Sequence, residues 1–154
     1  MKTTIVYLLA ACSLLIACNK SKLYSEFFKF SENNRWEKSV VKNYEFNIED
    51  DTKAYDVTFE FSHVYDYQFD NVPIIFSIEN PEGIKENFTI DLAIKDAAGK
   101  QLAECSGDIC DLDFKIKEKA KLLKGKYKVT VANGFKGPYL PNVIGIGLKV
   151  TTIE

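Results

Sequence analysis

The chain has 154 residues and a formal net charge of −2, with one histidine, four cysteines, eleven phenylalanines and eight tyrosines. This mild charge argues against nucleic-acid binding and against an electrostatic membrane patch, because both depend on clustered lysine and arginine. The many aromatic residues favour strands over helices. The length is sufficient for one domain with its own core.

The amino-terminal segment has the layout of a secretory signal peptide. Lys2 precedes an apolar block that runs from Ile5 to Ala17, which gives a charged region followed by a short apolar region. The block is too short to span a hydrocarbon core, which takes about 20 residues. At its end, Leu15-Ile16-Ala17-Cys18 resembles the bacterial lipobox. The resemblance implies that residues 1–17 are cleaved and that Cys18 receives a covalent lipid. The alternative is a plain secreted protein in which Cys18 is incidental.

In the lipoprotein interpretation, residues 18–22 form a lipidated tether and residues 23–154 form a single domain. Two or three acyl chains make membrane attachment lasting, whereas one chain gives only marginal binding. The lipid on Cys18 is therefore the expected membrane contact, and no other cofactor is predicted. Asn19 occupies the position at which an aspartate retains lipoproteins in the inner membrane of some bacteria. No acidic run follows Cys18, and we expect an outer-membrane lipoprotein that faces the periplasm.

Apolar and polar residues alternate with period two from Tyr44 onward, the pattern of strands that are buried on one face. Turn signals separate the alternating runs at residues 49–53, 80–83, 96–99 and 106–108. The predicted strands comprise residues 44–48, 55–62, 73–79, 88–94, 101–105, 112–116, 126–131 and 143–151.

Strands with one apolar face must pair into two sheets that pack those faces together. The sequence therefore predicts an all-β fold, an antiparallel β-sandwich of about seven to eight strands. Residues 117–123 are the only segment that suggests a short helix, and residues 134–141 suggest a loop. Trp36, in a less regular region, is expected to pack against an edge. Gly145 and Gly147 leave room for a neighbour or permit a bend.

Candidate catalytic groups are few. His63 is the only histidine, and its place at the end of an alternating strand predicts a packed or surface residue. The chain contains no motif of a nucleophile elbow, a zinc protease or a phosphate-binding loop. Asp108, Asp111 and Asp113 lack the glycine and final glutamate of a calcium loop, so a solvated turn and strand face is expected. We predict no catalytic, cofactor-binding or metal-binding residue and no enzymatic activity.

Cys105 and Cys110 flank a tight turn, so a hairpin would set them opposite each other. Cross-strand Cβ atoms about 4.5–5.5 Å apart need only modest tightening to form a disulfide, and an exported compartment permits oxidation. The alternative is two free thiols, because closure of so small a loop stabilises little. Tyr65, Tyr67 and Phe69 are spaced two apart and would share one strand face. A core strand is the favoured interpretation, and a sugar-stacking platform is the alternative.

Short motifs run in order through nearly the whole chain after the lipobox: Tyr24-Ser25-Glu26-Phe27, Trp36, the strand from Tyr55 to Ser62 with His63, Tyr65-Asp66-Tyr67, Ile90-Asp91-Leu92, Gly99-Lys100, Gly107-Asp108, Gly125-Lys126-Tyr127, Leu140-Pro141 and the segment from Ile146 to Val150. Together they resemble the GldH family of gliding-motility lipoproteins of the Bacteroidetes. The chain departs from that pattern at Cys105 and Cys110 and at Phe69-Asp70-Asn71-Val72-Pro73.

The resemblance implies a non-enzymatic lipoprotein of the outer envelope, needed for a form of motility that is tied to the type IX secretion apparatus. Its expected partners are other envelope proteins of the gliding and secretion machinery. A second hypothesis is a glycan-binding or adhesin module that the same lipid anchor holds at the surface.

Overall fold

The computed structural model describes residues 21–153, which contain eleven β-strands and no helix. The strands are β1 (Ser21–Lys29), β2 (Arg35–Glu37), β3 (Lys42–Ile48), β4 (Ala54–Val64), β5 (Asn71–Glu79), β6 (Lys85–Ala93), β7 (Glu104–Ser106), β8 (Ile109–Lys121), β9 (Gly125–Asn133), β10 (Tyr139–Pro141) and β11 (Val143–Ile153). A five-stranded sheet has the order β1-β11-β4-β8-β7, a four-stranded sheet has the order β3-β9-β5-β6, and β2 pairs with β10. All pairings between these strands are antiparallel, and the predicted all-β sandwich is confirmed.

The core lies between the inner faces of the two sheets, where the alternating apolar residues meet. Phe59 of β4 meets Phe76 of β5 edge to face, with ring centroids 5.2 Å apart, the geometry that aromatic pairs prefer. Further fully buried side chains come from both sheets, including Ile48, Phe61, Ile74, Leu92, Val129, Ile146 and Leu148. The period-two pattern therefore identified the core correctly.

The two ends of the sandwich are called the tether end and the far end. The tether end is where β1 begins, and it also contains residues 49–53, 80–84 and 122–124. The far end contains residues 65–70, the β7–β8 turn and the β2–β10 ribbon. Trp36 on the ribbon is fully buried and its Nε1 donates to the Val40 carbonyl at 2.8 Å. Trp36 was expected to pack against an edge, and its ring stacks on that of Phe30, which directly follows edge strand β1, with centroids 5.5 Å apart.

The predicted helix at residues 117–123 is wrong, because β8 continues through Lys121. Its pairing with β4 shifts register twice, and each shift adds one residue to β8. Such bulges interrupt the period-two pattern, which explains the misleading signal. Lys119 has φ +47° at this point, and its backbone N–H donates to Asp56 Oδ1 at 2.8 Å. The buried Asp56 therefore fixes the bulged conformation.

Three further segments differ from expectation. The predicted strand at residues 101–105 is replaced by the three-residue β7, and the predicted loop at residues 134–141 contains β10. Strand β1 lies in the region that the sequence left irregular, and it includes Ser21 and Lys22 of the expected tether. The turns at Asn80–Gly83 and Asp96–Gly99 are confirmed, since the backbone N–H of each glycine donates to the first residue's carbonyl.

Candidate functional site

Strand β1 is the part of the described chain nearest in sequence to the predicted lipid attachment. Cys18 itself lies outside the described residues. Only Asn19 and Lys20 separate it from Ser21, where β1 begins. Among residues 21–153, β1 is the last strand of its sheet and pairs with β11 alone. Any membrane anchor on Cys18 is therefore joined almost directly to a sheet edge.

Phe27 of β1 covers two glycines of β11 on the outer face of the five-stranded sheet. Phe27 lies opposite Gly147 in the antiparallel register. A Cβ atom built on Gly145 would lie 2.5 Å from Phe27 Cε1. The expectation that these glycines leave room for a neighbour is confirmed, and the neighbour is an aromatic ring that remains 47% exposed.

The inner side of β1 contacts the edge of the other sheet. The ring centroid of Tyr24 lies 5.8 Å from that of Phe46 on β3. The Tyr24 hydroxyl donates to Glu26 Oε2 at 2.6 Å, and burial together with this carboxylate raises the pKa of Tyr24. Lys42 Nζ lies 3.0 Å from the centroid of the Phe28 ring, a cation–π contact. These contacts hold β1 across the sandwich edge.

A cleft opens between the sheets at the tether end. It has a volume of about 250 Å³, and its walls include Phe46, Val57, Ile78 and Tyr127, all of them mostly buried. Ile84 and Leu123 line its mouth and are 62% and 44% exposed. Lys117 Nζ, also at the mouth, donates to Glu86 Oε2 at 2.6 Å. The cleft is thus apolar inside and rimmed by a neutralised ion pair.

The outer face of the five-stranded sheet carries a ladder of ion pairs. Lys149 Nζ lies 3.2 Å from Glu60 Oε1 and 3.0 Å from Asp113 Oδ2. Burial by itself lowers the pKa of Lys149, but hydrogen bonds to these two carboxylates outweigh it and the pKa is raised. Lys115 makes a similar bridge, 3.1 Å from Asp56 Oδ2. The ladder links β4, β8 and β11 and commits its carboxylates to structural contacts.

At the far end, Cys105 and Cys110 lie directly opposite each other on β7 and β8. The structure joins their Sγ atoms in a disulfide. Gly107 is the first residue of the two-residue turn that joins β7 to β8. Its φ of +62° is what a type II′ hairpin turn requires. Oxidation of this pair in the exported protein stays a prediction, for which the mass after alkylation is the test.

His63 is fully buried beside this disulfide, opposite Cys110 in the sheet register. Its Nδ1 lies 2.8 Å from the Val64 carbonyl, and its ring centroid lies 4.8 Å from that of Tyr67. Burial lowers the pKa of His63, although the hydrogen bond to Val64 opposes the shift. His63 is therefore a packed, neutral residue, as one of the two sequence-based alternatives expected.

The aromatic run lies in the loop after β4 rather than on one strand face. Tyr67 is fully buried and donates its hydroxyl hydrogen to the Pro141 carbonyl at 3.0 Å, whereas Tyr65 is 61% exposed. Phe69 is partly buried and packs on Phe135. The three rings form no shared platform, and the sugar-stacking alternative loses the geometry on which it depended.

The acidic residues also have structural contacts. Asp111 accepts a hydrogen bond from Ser62, and the Asp108 carbonyl accepts one from the Tyr65 backbone. Asp50 accepts from the backbone N–H and hydroxyl of Thr52, and these hydrogen bonds lower its pKa. Within residues 21–153 no cluster of three or more His, Cys, Asp or Glu side chains is arranged to hold a metal ion. The same residues contain no helix that could span a bilayer.

Sequence reasoning missed β1 and the cleft, for identifiable reasons. β1 places Glu26 opposite the buried Leu148 and the apolar Phe27 on the outer face, which interrupts the usual alternation between the inward-facing Tyr24 and Phe28. The signal that was available was the pair of outer-face glycines on β11, which left room for a neighbour or permitted a bend. The cleft depends on how far the sheets separate at one end, and no local pattern encodes that distance.

Most of the chain matches one protein family. Residues 22–150 match the family model described as GldH lipoprotein. The gliding motility lipoprotein GldH of Flavobacterium johnsoniae is 30% identical over 124 residues, which cover 80% of this chain and 76% of that protein. The GldH homolog of Christiangramia forsetii is 28% identical over 124 residues, covering 80% and 75%. Among solved structures, dimeric latent PorU of Porphyromonas gingivalis gives a TM-score of 0.35 at 11% identity over 86% of this chain and 13% of that one. On the family match and the first of these relatives, this chain belongs to the GldH lipoprotein family.

Proposed function

We propose that this chain is a non-enzymatic outer-membrane lipoprotein, anchored through a lipid on Cys18 and facing the periplasm, that serves gliding motility through contacts with other envelope proteins. The observation that carries the proposal is the match of residues 22–150 to the GldH lipoprotein family. The two relatives named for gliding motility support it. The lipobox ending at Cys18 supplies the anchor.

The non-enzymatic assignment is supported by what the ionisable groups do. Glu60 and Asp113 are bound by Lys149, and Asp56 is bound by Lys115 and by a backbone N–H. General acid–base catalysis needs a group within reach of a substrate and with a pKa near the working pH. The only histidine of the chain, His63, is fully buried in the core.

The β1 side of the sandwich is the surface that best supports protein contacts. β1 pairs with β11 on one side, so its other side presents the backbone groups of an edge strand, to which a partner strand can add. Phe27 adds an exposed ring on the same strand. Aromatic side chains are enriched among the residues that dominate binding energy at interfaces.

The first experiment tests the anchor and the motility role together. A strain that lacks the gene is complemented with the wild type or with Cys18→Ala. We expect the deletion to abolish spreading on agar, the wild type to restore it, and the Cys18→Ala protein to leave the outer-membrane fraction and fail to restore it. Normal spreading of the Cys18→Ala strain with unacylated protein would contradict the proposal.

The second experiment tests the contact surface. The photo-crosslinking amino acid p-benzoylphenylalanine replaces Phe27 on β1 or Ile75 on β5, whose side chain is 41% exposed on the other sheet. Because the new side chain keeps an aromatic ring over Gly145 and Gly147, the packing of β1 is preserved. We expect defined crosslinks to envelope proteins from position 27 and none from position 75. Equal crosslinking from both positions would contradict a contact surface on the β1 side.

A further inference from the structure

The apolar cleft and the point of anchoring lie at the same end of the sandwich. Ser21 is opposite Thr152, Thr152 is opposite Tyr55, and Tyr55 is opposite Ala120. Ala120 immediately precedes Lys121, which lines the cleft. Neighbouring strands are about 4.8 Å apart, so the start of β1 lies roughly 15 Å from the end of β8.

The reach of the chain then fixes how far this end can be from a membrane. Asn19 and Lys20 are the only residues between Cys18 and Ser21. An extended chain covers at most about 3.6 Å per residue, so Ser21 lies within roughly 10 Å of Cys18. If the acyl chains of Cys18 are in the bilayer, Ser21 and the start of β1 must lie close to the lipid interface.

We propose that the tether end docks on the bilayer, with the exposed side chains of Ile84 and Leu123 inserted at the boundary between head groups and acyl chains and with lipid acyl chains covering the cleft. The inference rests on the lipid anchor of the proposed function and goes beyond it, because it assigns a membrane-contact surface and an orientation. The sandwich stands on its tether end, and the far end points away from the membrane.

Three observations favour lipid as the occupant. Single exposed apolar side chains are ordinary, but Ile84 and Leu123 both flank one apolar cleft. That cleft opens at the end which a short tether holds against lipid. Lys117 and Lys121 at the mouth have long apolar stems whose charged ends can remain in the head-group layer.

The electrostatics distinguish this docking from attraction to anionic lipid. Lys117 is paired with Glu86, Lys85 with Glu79 and Lys126 with Glu45. The tether end also contains further lysines (Lys53, Lys121 and Lys124) together with further acids (Glu49, Asp50, Asp51 and Glu82), so its charge is mixed rather than a basic patch. Docking is driven by apolar contact, and we expect it to depend little on the fraction of anionic lipid or on salt.

The test places a tryptophan at either end of the sandwich at equal exposure. Leu123 at the tether end and Ile109 at the far end are each 44% exposed, so Leu123→Trp and Ile109→Trp are matched variants. Each acylated mature protein is reconstituted in phosphatidylcholine vesicles, with or without lipid brominated near the head-group end of its acyl chains. Trp36, buried at the far end, contributes the same background to both.

We expect the brominated lipid to reduce the added emission of Leu123→Trp about twofold or more and to leave that of Ile109→Trp unchanged, because an interfacial side chain lies only about 5–10 Å deep. Ile84→Trp should behave as Leu123→Trp does. Vesicles in which phosphatidylcholine is mixed with an equal amount of anionic lipid should give the same result. Mass spectrometry of the amino terminus and flotation with the vesicles establish the anchor separately.

The outcomes separate the two proposals. An acylated, vesicle-bound protein in which neither Leu123→Trp nor Ile84→Trp is quenched overturns the docking surface and leaves the lipoprotein function intact. Quenching of Phe27→Trp without quenching of Leu123→Trp would mean that the sandwich lies on its β1 side, which also overturns the proposal. A terminus that carries no lipid overturns both proposals.

Discussion

Replacing Gly145 by alanine is expected to displace β1, because the space over this residue is filled by β1 itself. An ideal Cβ at Gly145 would lie 2.6 Å from the backbone oxygen of Phe28 as well as 2.5 Å from the Phe27 ring. At Gly147 the nearest atom is Glu60 Oε2, at 2.6 Å, followed by Phe27 Cδ2 at 2.9 Å and by the Glu26 backbone oxygen at 3.1 Å, which is a milder backbone contact than the one at Gly145. A ring or a carboxylate can rotate away, but a backbone carbonyl moves only with its strand.

Overpacking a filled site costs about 1–3 kcal/mol of the free energy of unfolding. We expect Gly145→Ala to lie near the upper end of this range, at about 3 kcal/mol, and Gly147→Ala near 1 kcal/mol. Phe27→Ala removes the ring from both sites. It should therefore relieve part of the cost of Gly147→Ala, where the Glu60 carboxylate must still rotate aside, but little of the cost of Gly145→Ala, a difference that a double-mutant cycle measures directly.

The assay is urea unfolding of the mature chain with Cys18→Ser, which removes the lipid and leaves the fold unchanged. With a slope of about 2 kcal/mol per M, the midpoint should fall by roughly 1.5 M for Gly145→Ala and roughly 0.5 M for Gly147→Ala. A displaced β1 should also expose residues 21–29 to protease, and only in the Gly145 variant. Equal midpoint shifts for the two glycines, or full relief of Gly145→Ala by Phe27→Ala, would refute the backbone argument.

Three further predictions concern the disulfide, the buried histidine and the bulge in β8. Replacing Cys105 and Cys110 together by alanine should lower the free energy of unfolding by about 2 kcal/mol, the value that the chain-entropy estimate gives for so short a loop. The wild type treated with reductant should unfold at the same urea midpoint as this double variant. Alkylation of the wild type without reductant should add no mass at these two cysteines. Burial lowers the pKa of His63 below its ordinary value of 6.5, so the unfolded chain binds more protons than the folded chain as the pH falls below about 6.5. The contribution of the buried His63 to the free energy of unfolding should therefore be complete above that pH and should decrease below it. With His63→Gln, the free energy of unfolding should depend less on pH between 6.5 and the range in which carboxylates titrate. Asp56→Ala leaves the Lys119 backbone N–H without its acceptor and should lower the free energy of unfolding by about 2–3 kcal/mol. Asp56→Asn keeps an acceptor oxygen and should lower it by about 1 kcal/mol. Equal losses for the two variants would assign the effect to the ion pair with Lys115 instead.

The regular part of the fold could be predicted because the relevant signal is local. Along β4, Tyr55, Val57, Phe59 and Phe61 face the core in strict alternation, and period two has no other common explanation. The turn at Asp96–Gly99 was equally readable, since Asp96 Oδ1 accepts from the Ala98 and Lys100 backbone N–H groups. In each case a residue and its immediate neighbours carry the whole reason for the conformation.

The parts that were missed depend on partners far along the chain. The bulge at Lys119 exists because Asp56, 63 positions earlier, accepts its backbone N–H. Strand β1 has an acidic residue on its inner side and an aromatic ring on its outer side, and it is explained only by Gly145 and Gly147 at the other end of the sequence. Lipidation of Cys18 could be proposed from a motif alone, but the surface that the proposed anchor would bring to the membrane required the register of four strands.

The position of the proposed anchor determines the direction in which a pull on the lipid would load β1. Under the proposed anchor, a pull on the lipid acts at Ser21 and runs along the axis of β1, away from the tether end. The neighbouring strand β11 is antiparallel and is paired with β1 from Ser21 to Lys29, so such a pull slides the two strands along each other. The backbone hydrogen bonds then resist together rather than one after another, and the Phe27 ring over Gly145 and Gly147 must be displaced as well. Under the proposed anchor, attachment immediately before Ser21 would therefore load β1 in shear, so that its backbone hydrogen bonds to β11 oppose a pull on the lipid together.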